Sequence, residues 1–524
     1  MSGGETTQDQ SKLLAYLCTP GVLTDAPVKV IPTSTAYVLL AGRSAYKLRR
    51  AIRYSYLDYS VRARRDAAAL AELTLNRRTA PDLYLGLLPV AATETGFRLR
   101  PLSQSLDRAP HIVEHLVAMR RFDETATLDQ CAADGRLTQD LVERLAAVIA
   151  RFHMATLPTY QGAAAAKLAQ VSGRTMRDLL AARVLLGADR VVLLHQAMQA
   201  ALIQAMSEVD ERGAAGHFKR LHGDLHLGNV ALIDGAPVIF DALEFDDAMA
   251  TVDELHDVAF LIMDLWVNGQ PEFAGVAWSR YLAERDDYSG LALAPLYIAM
   301  RAAVRAKVAM NASRLLENDV AAAERRAAAA YVKAAAAALQ RPAPRLIAIG
   351  GLSGAGKTTL ARALAPDFAP AFGAIHLRSD LLRKHRAGVP FEAPAPASAY
   401  SETENRLVYE ALLERAGAII KQGGPVIVDA VFAKPEERQA AAALAARLNV
   451  PFTGLWLDLD LADRQRRIAG RSNDASDATA AVAARQADYD LGAIEWHRID
   501  AASDAVSQAR ALIHRNPRDQ IIQS

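Results

Sequence analysis

Residues 346–360 read LIAIGGLSGAGKTTL, an apolar run followed by a glycine-rich segment and then by helix-favouring residues. The apolar run 346–349 predicts a buried β-strand, and residues 360–365 predict a helix. Between them, residues 351–358 complete the pattern G-x-x-x-x-G-K-T, whose glycines let backbone N–H groups turn inward around phosphates. The order strand, loop and helix predicts an α/β domain with a parallel sheet flanked by helices.

The same motif predicts a nucleotide site. We expect Lys357 to reach the β- and γ-phosphates of ATP and the Thr358 hydroxyl to bind Mg²⁺. The expected nucleotide-binding residues of this segment are Gly351, Ser353, Gly354, Ala355, Gly356, Lys357, Thr358 and Thr359. A glycine-rich turn without a ligand is the alternative, and the complete motif in its strand–loop–helix setting disfavours it.

The strand 426–428 ends at Asp429, where a second Mg²⁺ ligand belongs. Ala430 follows where motor ATPases carry a water-activating Glu, so the pattern favours transfer to a substrate hydroxyl over mechanical ATP hydrolysis. Arg464, Arg467 and Arg471 lie on a polar helix-to-loop stretch, and Arg467 and Arg471 are expected to close over the nucleotide as part of a lid. A solvated basic helix face is the alternative for these arginines.

A second constellation lies at residues 222–229, which read HGDLHLGN and match the kinase pattern H-x-D-x-x-x-x-N. We expect Asp224 to accept the proton of a substrate hydroxyl and Asn229 to bind Mg²⁺. Two short strand candidates joined by Asp234-Gly235 form a hairpin that delivers Asp241 as the second metal ligand. A solvated loop is the alternative. His222 is expected to brace this loop.

A kinase-like site also needs a lysine for the α- and β-phosphates. Lys47 lies on the strand candidate 45–48, and Glu72 lies in the helix candidate 61–78, so the two are expected to pair. Residues 33–35 occupy the position of the usual glycine-rich loop, so hydroxyls or bare amides must cover the phosphates there. The role of His226 stays open, and Asp257 is expected to be structural.

Together these residues resemble two-domain bacterial proteins in which an aminoglycoside phosphotransferase-like domain is fused to a P-loop ATP-binding domain. Further matching segments are residues 46–47, 57–58, 75–78, 81–85, 240–245 and 377–380. The resemblance implies a bilobal kinase-like fold with Asp224 as the base, followed by a domain of small-molecule-kinase type. In that second domain it implies that Asp380 faces the acceptor hydroxyl and that Arg383 holds substrate. Residues 32–34 read Pro-Thr-Ser where relatives tend to carry Glu-Thr-His.

The chain has 524 residues, which at about 150 residues per domain predicts roughly three units. The expected class is a mixed α/β and α+β multidomain protein. We expect a small β-rich lobe over residues 1–110, a helical lobe over 111–340, a proline linker over 341–345 and a P-loop domain over 346–524.

The charge balance is close to neutral, with 60 Lys and Arg against 59 Asp and Glu. That balance argues against a protein that coats nucleic acid, because phosphate binding needs a basic excess. The two cysteines, Cys18 and Cys131, exclude a disulfide framework and disfavour a zinc site. No signal peptide and no apolar run near 18 residues is apparent, so we expect a cytoplasmic protein without a membrane span.

These patterns favour a bifunctional ATP-dependent phosphotransferase that acts on a small hydroxylated molecule of sugar, aminoglycoside or amino-alcohol type. One alternative makes one domain a nucleotide sensor for the other, and a second makes the P-loop domain a toxin-like or nucleic-acid-end kinase. An aminoglycoside would need an acidic cleft. Five residues offer carboxylates for it, although a solvated acidic segment explains them equally well: Glu244, Asp246, Asp247, Asp253 and Glu254. The acceptor and the oligomeric state stay open.

Overall fold

The computed structural model describes residues 5–54, 57–159, 162–314, 316–368, 370–470, 477 and 479–513. Within the described residues, no helix is both long and apolar enough to span a membrane.

An antiparallel six-stranded sheet forms the N-terminal part, in the order β2-β3-β4-β9-β7-β8. A smaller sheet has the order β1-β5-β6, and two helices accompany the sheets. The bounds are β1 Glu5–Thr6, α1 Ser11–Leu17, β2 Lys29–Pro32, β3 Ala36–Ala41, β4 Ser44–Arg49, β5 Ile52–Tyr54, β6 Leu57–Asp58, α2 Arg62–Asn76, β7 Tyr84–Thr93, β8 Gly96–Leu99 and β9 Ile112–Arg120.

Strand β9 differs from the sequence-based expectation, because residues from 111 onward were expected to be mostly helical. The strand instead lies between β4 and β7. Its apolar alternation is interrupted by Glu114 and His115, which are buried because α2 supplies their partners: Arg65 Nε lies 2.8 Å from Glu114 Oε1, and His115 Nδ1 lies 2.8 Å from Asp66 Oδ1. We propose that the first lobe ends after β9 and not at residue 110.

Helices make up most of the next part, and two short antiparallel pairs, β10 with β13 and β11 with β12, lie among them. The core is centred on α9, in which residues 254–265 are all buried. The bounds are α3 Leu128–Ala133, α4 Gln139–Ala155, α5 Ala164–Ala181, α6 Arg183–Leu186, α7 Ala188–Ala214, β10 Phe218–Arg220, β11 Val230–Ile233, β12 Ala236–Ile239, α8 Asp247–Ala250, β13 Thr251–Asp253, α9 Glu254–Val267, α10 Pro271–Arg285, α11 Ala294–Ala312 and α12 Asn318–Ala338.

The C-terminal part is built on a five-stranded, all-parallel sheet in the order β15-β16-β14-β17-β18. Helices follow its strands, so the expected fold class is confirmed. The bounds are β14 Leu346–Gly350, α13 Lys357–Leu364, β15 Ile375–Arg378, α14 Ser379–Arg386, α15 Glu402–Lys421, β16 Val426–Asp429, α16 Pro435–Arg447, β17 Phe452–Asp458, α17 Leu461–Ala469, α18 Ala480–Gln486, β18 His497–Asp500 and α19 Ala505–Ile513.

Helix α10 of the helical part packs against β15 of the parallel sheet. The backbone N–H of His376 donates to Ser279 Oγ at 3.1 Å, and the Trp278 ring stacks on Phe372 with 5.5 Å between ring centroids. An aromatic stack and a buried hydrogen bond resist separation better than exposed ion pairs do. The two parts therefore share a packed interface as well as a covalent link.

Glu254 lies in the first turn of α9, and its contribution to the stability of the helical core can be measured. Burial opposes its ionisation, but hydrogen bonds from His217 and Lys219 and the charge of Arg285 outweigh burial and lower the pKa of Glu254 to about 2. We expect Glu254→Gln to lower the free energy of unfolding by about 3 kcal/mol at pH 7, because it leaves buried cations without a counter-charge.

The loss of stability caused by Glu254→Gln must become smaller as the pH falls. A depressed carboxyl pKa contributes stability that is present above its ordinary value of 4.5 and is lost as pH falls toward about 2. Urea-induced unfolding of wild type and Glu254→Gln should therefore differ at pH 7 and converge toward pH 3. Glu94→Gln, at an exposed position in the turn between β7 and β8, serves as the control. An equal difference at both pH values would contradict this account.

Candidate active sites

Strand β4 and helix α2 bring Lys47 and Glu72 together as the sequence predicts. Lys47 Nζ lies 2.9 Å from Glu72 Oε1 and 2.6 Å from Asp241 Oδ1, so one ammonium group bridges two carboxylates from distant parts of the chain. Burial would lower the pKa of Lys47, but the charges of Asp241 and Glu72 outweigh it and raise that pKa. The lysine is therefore a fixed positive charge beside Asp241.

Arg49 is a member of this cluster that the sequence analysis missed. It follows Lys47 by two residues on β4, so both side chains lie on one face of the sheet. Arg49 contacts Glu72 and lies 2.7 Å from Glu244 Oε1, and its side chain is only 2% exposed. Glu72 is thus held between two cations. Its carboxylate holds Lys47 in place and is itself held by Arg49.

The loop 222–229 brings the side chains of Asp224, His226 and Asn229 together. Asn229 Nδ2 donates to the Asp224 carbonyl oxygen at 2.9 Å and to Asp224 Oδ2 at 3.2 Å. His226 Nε2 faces Asp224 Oδ2 at 3.5 Å. Burial opposes ionisation of Asp224, but His226 outweighs it and lowers the pKa of Asp224 to about 2. Asp224 is therefore ionised at neutral pH, and its side chain is 40% exposed.

Two aspartates of α9 hold the backbone of this loop through hydrogen bonds. Asp257 accepts from the backbone N–H of Gly223 at 2.8 Å and of His222 at 3.3 Å, and Asp264 accepts from the N–H of Leu227 at 2.9 Å. His222 itself braces the loop, since its Nε2 lies 2.9 Å from the Phe240 carbonyl oxygen. The sequence analysis expected Asp257 to be structural; its contacts show that it fixes the loop backbone.

Gly223 is required at its position in this loop. Its φ is +81°, and a Cβ there would meet the Cβ of Ala250 at 2.7 Å. The loop therefore passes against α8 with no room for a side chain.

The backbone at Asp241 is also held in place. Its φ is +61°, a left-handed conformation that is uncommon outside glycine. Tyr84 Oη accepts the N–H of Asp241 at 3.2 Å, and Asn76 Oδ1 accepts the N–H of Ala242 at 2.8 Å. Neither Tyr84 nor Asn76 was assigned a role from sequence, because each acts through a backbone group more than 150 residues away.

The second site is a cavity at the carboxyl ends of the parallel strands. Most residues of the glycine-rich motif 351–358 line this cavity, together with Asp380 and Asp429. Its lining residues are Ser353, Gly354, Gly356, Lys357, Thr358, Arg378, Ser379, Asp380, Asp429 and Val431. Thr358 Oγ1 donates to Asp429 Oδ2 at 2.6 Å. The other three expected residues lie beside the cavity, with Gly351 and Ala355 buried and Thr359 exposed.

His376 on β15 contributes to this site and was not predicted. Its Nε2 lies 3.3 Å from Asp429 Oδ2. Burial opposes ionisation of Asp429, but His376 and the charge of Lys357 lower the pKa of this carboxyl well below its usual range. Asp429 therefore presents a full negative charge beside the Thr358 hydroxyl.

The loop 351–356 is packed tightly against α17. Gly354 has φ +89°, and a Cβ there would meet the Arg464 carbonyl oxygen at 2.7 Å. A larger residue at this position would push the loop away from α17. Gly354, at a variable position of the motif, is thus demanded by packing as well as by the curvature of the loop.

The arginines expected near this site have different positions. Arg467 Nη1 donates to the Ala355 carbonyl oxygen at 3.1 Å, so it contacts the loop backbone. Arg383 is not part of the cavity lining; its Nη1 donates to the Ala399 carbonyl oxygen at 2.6 Å, and its guanidinium lies 4.7 Å from the Tyr400 ring centroid. Arg471 lies outside the described residues.

Two families match the two parts of the chain. Residues 40–293 match a phosphotransferase enzyme family, and residues 346–489 match an AAA domain family. These regions contain the first and the second site respectively. The first domain is therefore of the phosphotransferase enzyme family and the second is a P-loop domain of kinase type, and such domains imply the use of ATP.

Among solved structures, the chain is similar to aminoglycoside 2′-phosphotransferase-IIIa in its GDP complex, with 11% identity over 62% of this chain and 99% of that one and a TM-score of 0.38. It is also similar to a gluconokinase from Sinorhizobium meliloti 1021, with 21% identity over 35% of this chain and 99% of that one and a TM-score of 0.26.

Full-length relatives occur in mycobacteria. The uncharacterized protein Rv2004c of Mycobacterium tuberculosis is 30% identical over 503 residues, which are 93% of this chain and 95% of that protein. The uncharacterized protein Mb2027c of Mycobacterium bovis matches with the same identity and coverage. The chain therefore belongs to the family of these mycobacterial proteins, and in this chain a region of the phosphotransferase enzyme family is followed by a P-loop domain of kinase type.

Proposed function

We propose that the protein is an ATP-dependent phosphotransferase with two separate nucleotide sites, each of which transfers the γ-phosphoryl group to a hydroxyl of a small molecule. The acceptor classes suggested by the sequence are sugars, aminoglycosides and amino alcohols. The main support is the cluster at the first site, where Lys47 joins Glu72 to Asp241 while Asn229 contacts the ionised Asp224. These are the charges that phosphoryl transfer needs in one place.

At the first site, each residue has a distinct task. Lys47 binds the α- and β-phosphates and Glu72 orients it, while Asp224 accepts the proton of the acceptor hydroxyl. The acceptor oxygen then bonds to the γ-phosphorus as the bond from that phosphorus to the bridging oxygen breaks, and ADP leaves with the electron pair. Asn229 and Asp241 offer an amide and a carboxylate oxygen, which suit Mg²⁺. Bound Mg²⁺ would neutralise the phosphate charge.

At the second site, the loop 351–356 and Thr359 surround the phosphates and Lys357 binds the β- and γ-phosphates. Thr358 and Asp429 hold Mg²⁺, and the 2.6 Å between their oxygens fits a hydroxyl and a carboxylate that share one cation. Asp380 lines the same cavity and accepts the proton of the second acceptor. Arg467 steadies the loop beside the nucleotide. Substrate binding by Arg383 and nucleotide binding by Arg471 remain part of the proposal.

Nucleotide stoichiometry tests the two-site proposal. Isothermal titration calorimetry with a non-hydrolysable ATP analogue and Mg²⁺ should show two molecules bound per chain. Asp241→Asn removes a metal-binding charge and the partner of Lys47, so we expect it to weaken one of the two binding events about tenfold to 100-fold and to leave the other unchanged.

Asp234→Asn is the matched control, because Asp234 lies on the same hairpin with a 79% exposed side chain. The substitution should change neither event. If only one nucleotide binds per chain and Asp241→Asn does not change its affinity, the assignment of a nucleotide to the first site is contradicted. Binding at both sites without phosphorylation of any component of a metabolite extract, read by mass spectrometry, would favour a nucleotide sensor.

A further inference from the structure

A cavity opens beside Asp224, the proposed base of the first site. It lies among α5, α8, α9 and α11 and includes Gly223 and Asp224 of the catalytic loop in its lining. Its walls are mostly apolar, with large side chains from all four helices and the loop after β12. These are Met176, Leu243, Met249, Phe260, Met300 and Val304. Methionines adapt readily to the shape of an apolar ligand.

The charges of this cavity do not suit a polycation. Among the described residues that line it, Asp224 is the single carboxylate, whereas Lys167 and Arg301 are both cationic. An acceptor with several ammonium groups would meet two like charges and one counter-charge. Like charges in a poorly solvated cavity are unfavourable.

The acidic segment 244–254 does not supply the missing counter-charge, because none of its carboxylates lines the cavity. Four of them form ion pairs and the fifth caps α8. The pairs are Glu244 with Arg49 at 2.7 Å, Asp247 with Arg220 at 2.7 Å, Asp253 with Arg212 at 2.6 Å and Glu254 with Arg285 at 2.7 Å. Asp246 accepts from the N–H of Met249 at 3.0 Å. This segment is therefore structural in its contacts and not an acceptor cleft.

Two polar side chains of the cavity have unmet hydrogen bonds within the described part of the chain, Arg301 at Nη2 and His256 at both ring nitrogens. His256 is 4% exposed, and neither of its ring nitrogens has a hydrogen-bond partner among the described residues. Burial and the charge of Arg301 lower the pKa of His256 well below its usual value, so the ring is neutral and offers one donor and one acceptor. Buried polar groups are normally paired, so an unpaired ring in a cavity wall indicates a ligand partner.

Arg301 fixes this arrangement relative to the catalytic loop. Its Nε donates to the His256 carbonyl oxygen at 3.0 Å, and its Nη1 donates to the Gly223 carbonyl oxygen at 3.0 Å. One guanidinium therefore joins the backbone of His256 to the residue before Asp224. The polar group in the cavity wall is held at a set position from the base.

We propose that the first site takes an uncharged alcohol with an aryl or alkyl body, which occupies this cavity with its hydroxyl toward Asp224 and a polar group bonded to His256. The inference rests on the proposed function for the transfer step, but the binding step can be measured without it. In this arrangement His256 is a specificity-determining residue and not a proton acceptor.

Binding to the intact protein, with a non-hydrolysable ATP analogue and Mg²⁺ present, tests the cavity directly. The probes are 4-phenylbutan-1-ol, 1-octanol, glucose and kanamycin, each followed by saturation-transfer NMR. We expect the two apolar alcohols to bind and kanamycin to bind at least tenfold more weakly. Val304→Trp fills the cavity from α11 and should abolish alcohol binding. Val308→Trp, one turn further along α11 and 50% exposed, should leave it unchanged.

Two substitutions test the role of His256. His256→Phe keeps an aromatic ring but no hydrogen bond, and His256→Asn keeps a donor and an acceptor. For an aryl alcohol that carries a second polar group, such as 4-(hydroxymethyl)phenol, we expect His256→Phe to weaken binding about threefold to tenfold and His256→Asn to restore part of it. For 1-octanol, which has no second polar group, His256→Phe should have no such effect.

The outcomes separate this inference from the proposed function. If Val304→Trp abolishes alcohol binding, the assignment of the alcohol to this cavity is supported. If the bound alcohol is nevertheless not phosphorylated by ATP, that result counts against Asp224 as a base. Kanamycin binding tighter than either alcohol would overturn the inference and leave the phosphotransferase proposal intact. The inference would also be overturned if Val304→Trp and Val308→Trp changed alcohol binding equally. The same holds if His256→Phe weakened the binding of 4-(hydroxymethyl)phenol and of 1-octanol equally.

Discussion

Replacing Asp224 by Asn is expected to lower phosphoryl transfer at the first site by about 10²- to 10⁴-fold, the range for loss of a positioned proton acceptor. The amide has nearly the shape of the carboxylate but cannot take the acceptor's proton. Asp224 is poised for that task because its low pKa keeps it ionised and its side chain is open to solvent and to the adjacent cavity.

The loss should fall on turnover and not on nucleotide binding. The bonds from Asp257 to the backbone of Gly223 and His222 do not involve the Asp224 side chain, and Lys47 keeps its two carboxylate partners. Calorimetry should therefore still show two nucleotides bound to Asp224→Asn, and kcat should fall while KM for ATP changes little.

Asp247→Asn is the control for this experiment, because Asp247 lies in the adjoining segment with an 86% exposed side chain. It should retain full activity. Retention of wild-type turnover by Asp224→Asn would exclude this residue as the base and would favour a sensor role for the first domain. A large increase in KM for ATP would instead show that the carboxylate acts in nucleotide binding.

The parts of both sites that could be predicted from sequence are those specified by short, contiguous patterns. The loop at 222–229 and the loop at 351–358 each place several functional groups within eight residues, so local geometry fixes their arrangement. The pairing of Lys47 with Glu72 was also predicted, because the two sit on successive elements of one lobe. In these cases the spacing of the residues along the chain is enough to predict which side chains come together.

What could not be predicted depends on partners distant in sequence. Strand β9 was missed because Glu114 and His115 break its apolar alternation, and only the tertiary fold shows that Arg65 and Asp66 pair with them. Arg49, His376 and His256 are buried polar residues of the same kind. A single sequence gives no signal that separates them from exposed polar residues.

The arginines near the second site show a different limit of sequence patterns. Arg383 follows Asp380 at the spacing of a substrate-binding residue, and the structure places both residues on α14. The direction of the side chain is set by packing, and the Arg383 guanidinium turns toward Ala399 and Tyr400 instead of the cavity. A motif position fixes where a residue lies along an element but not what its side chain contacts.

Replacing Lys357 by Ala is expected to have the largest effect at the second site, with a loss of phosphoryl transfer of about 10³-fold or more, as for other residues that stabilise the transferring phosphoryl group. Lys357 begins α13 and lines the cavity with Asp380 and Asp429. Its ammonium is placed to offset charge on the β- and γ-phosphates, and Ala supplies none. Lys357→Ala should therefore reduce both nucleotide affinity and turnover at this site.

The measurement needs a background in which transfer at the first site is strongly reduced, so Lys357→Ala is introduced into the Asp224→Asn protein and compared with the Asp224→Asn single variant. Residual transfer in that background reports mainly the second site. Lys421→Ala, an exposed lysine at the end of α15, is the matched control and should leave residual transfer unchanged. The Lys357 side chain takes no part in the 2.6 Å contact between Thr358 and Asp429, so a loss of folding is not expected, and unchanged thermal unfolding would verify this. Residual transfer that is equal with and without Lys357 would show that the P-loop domain does not catalyse the reaction, and would leave it as a nucleotide-binding module.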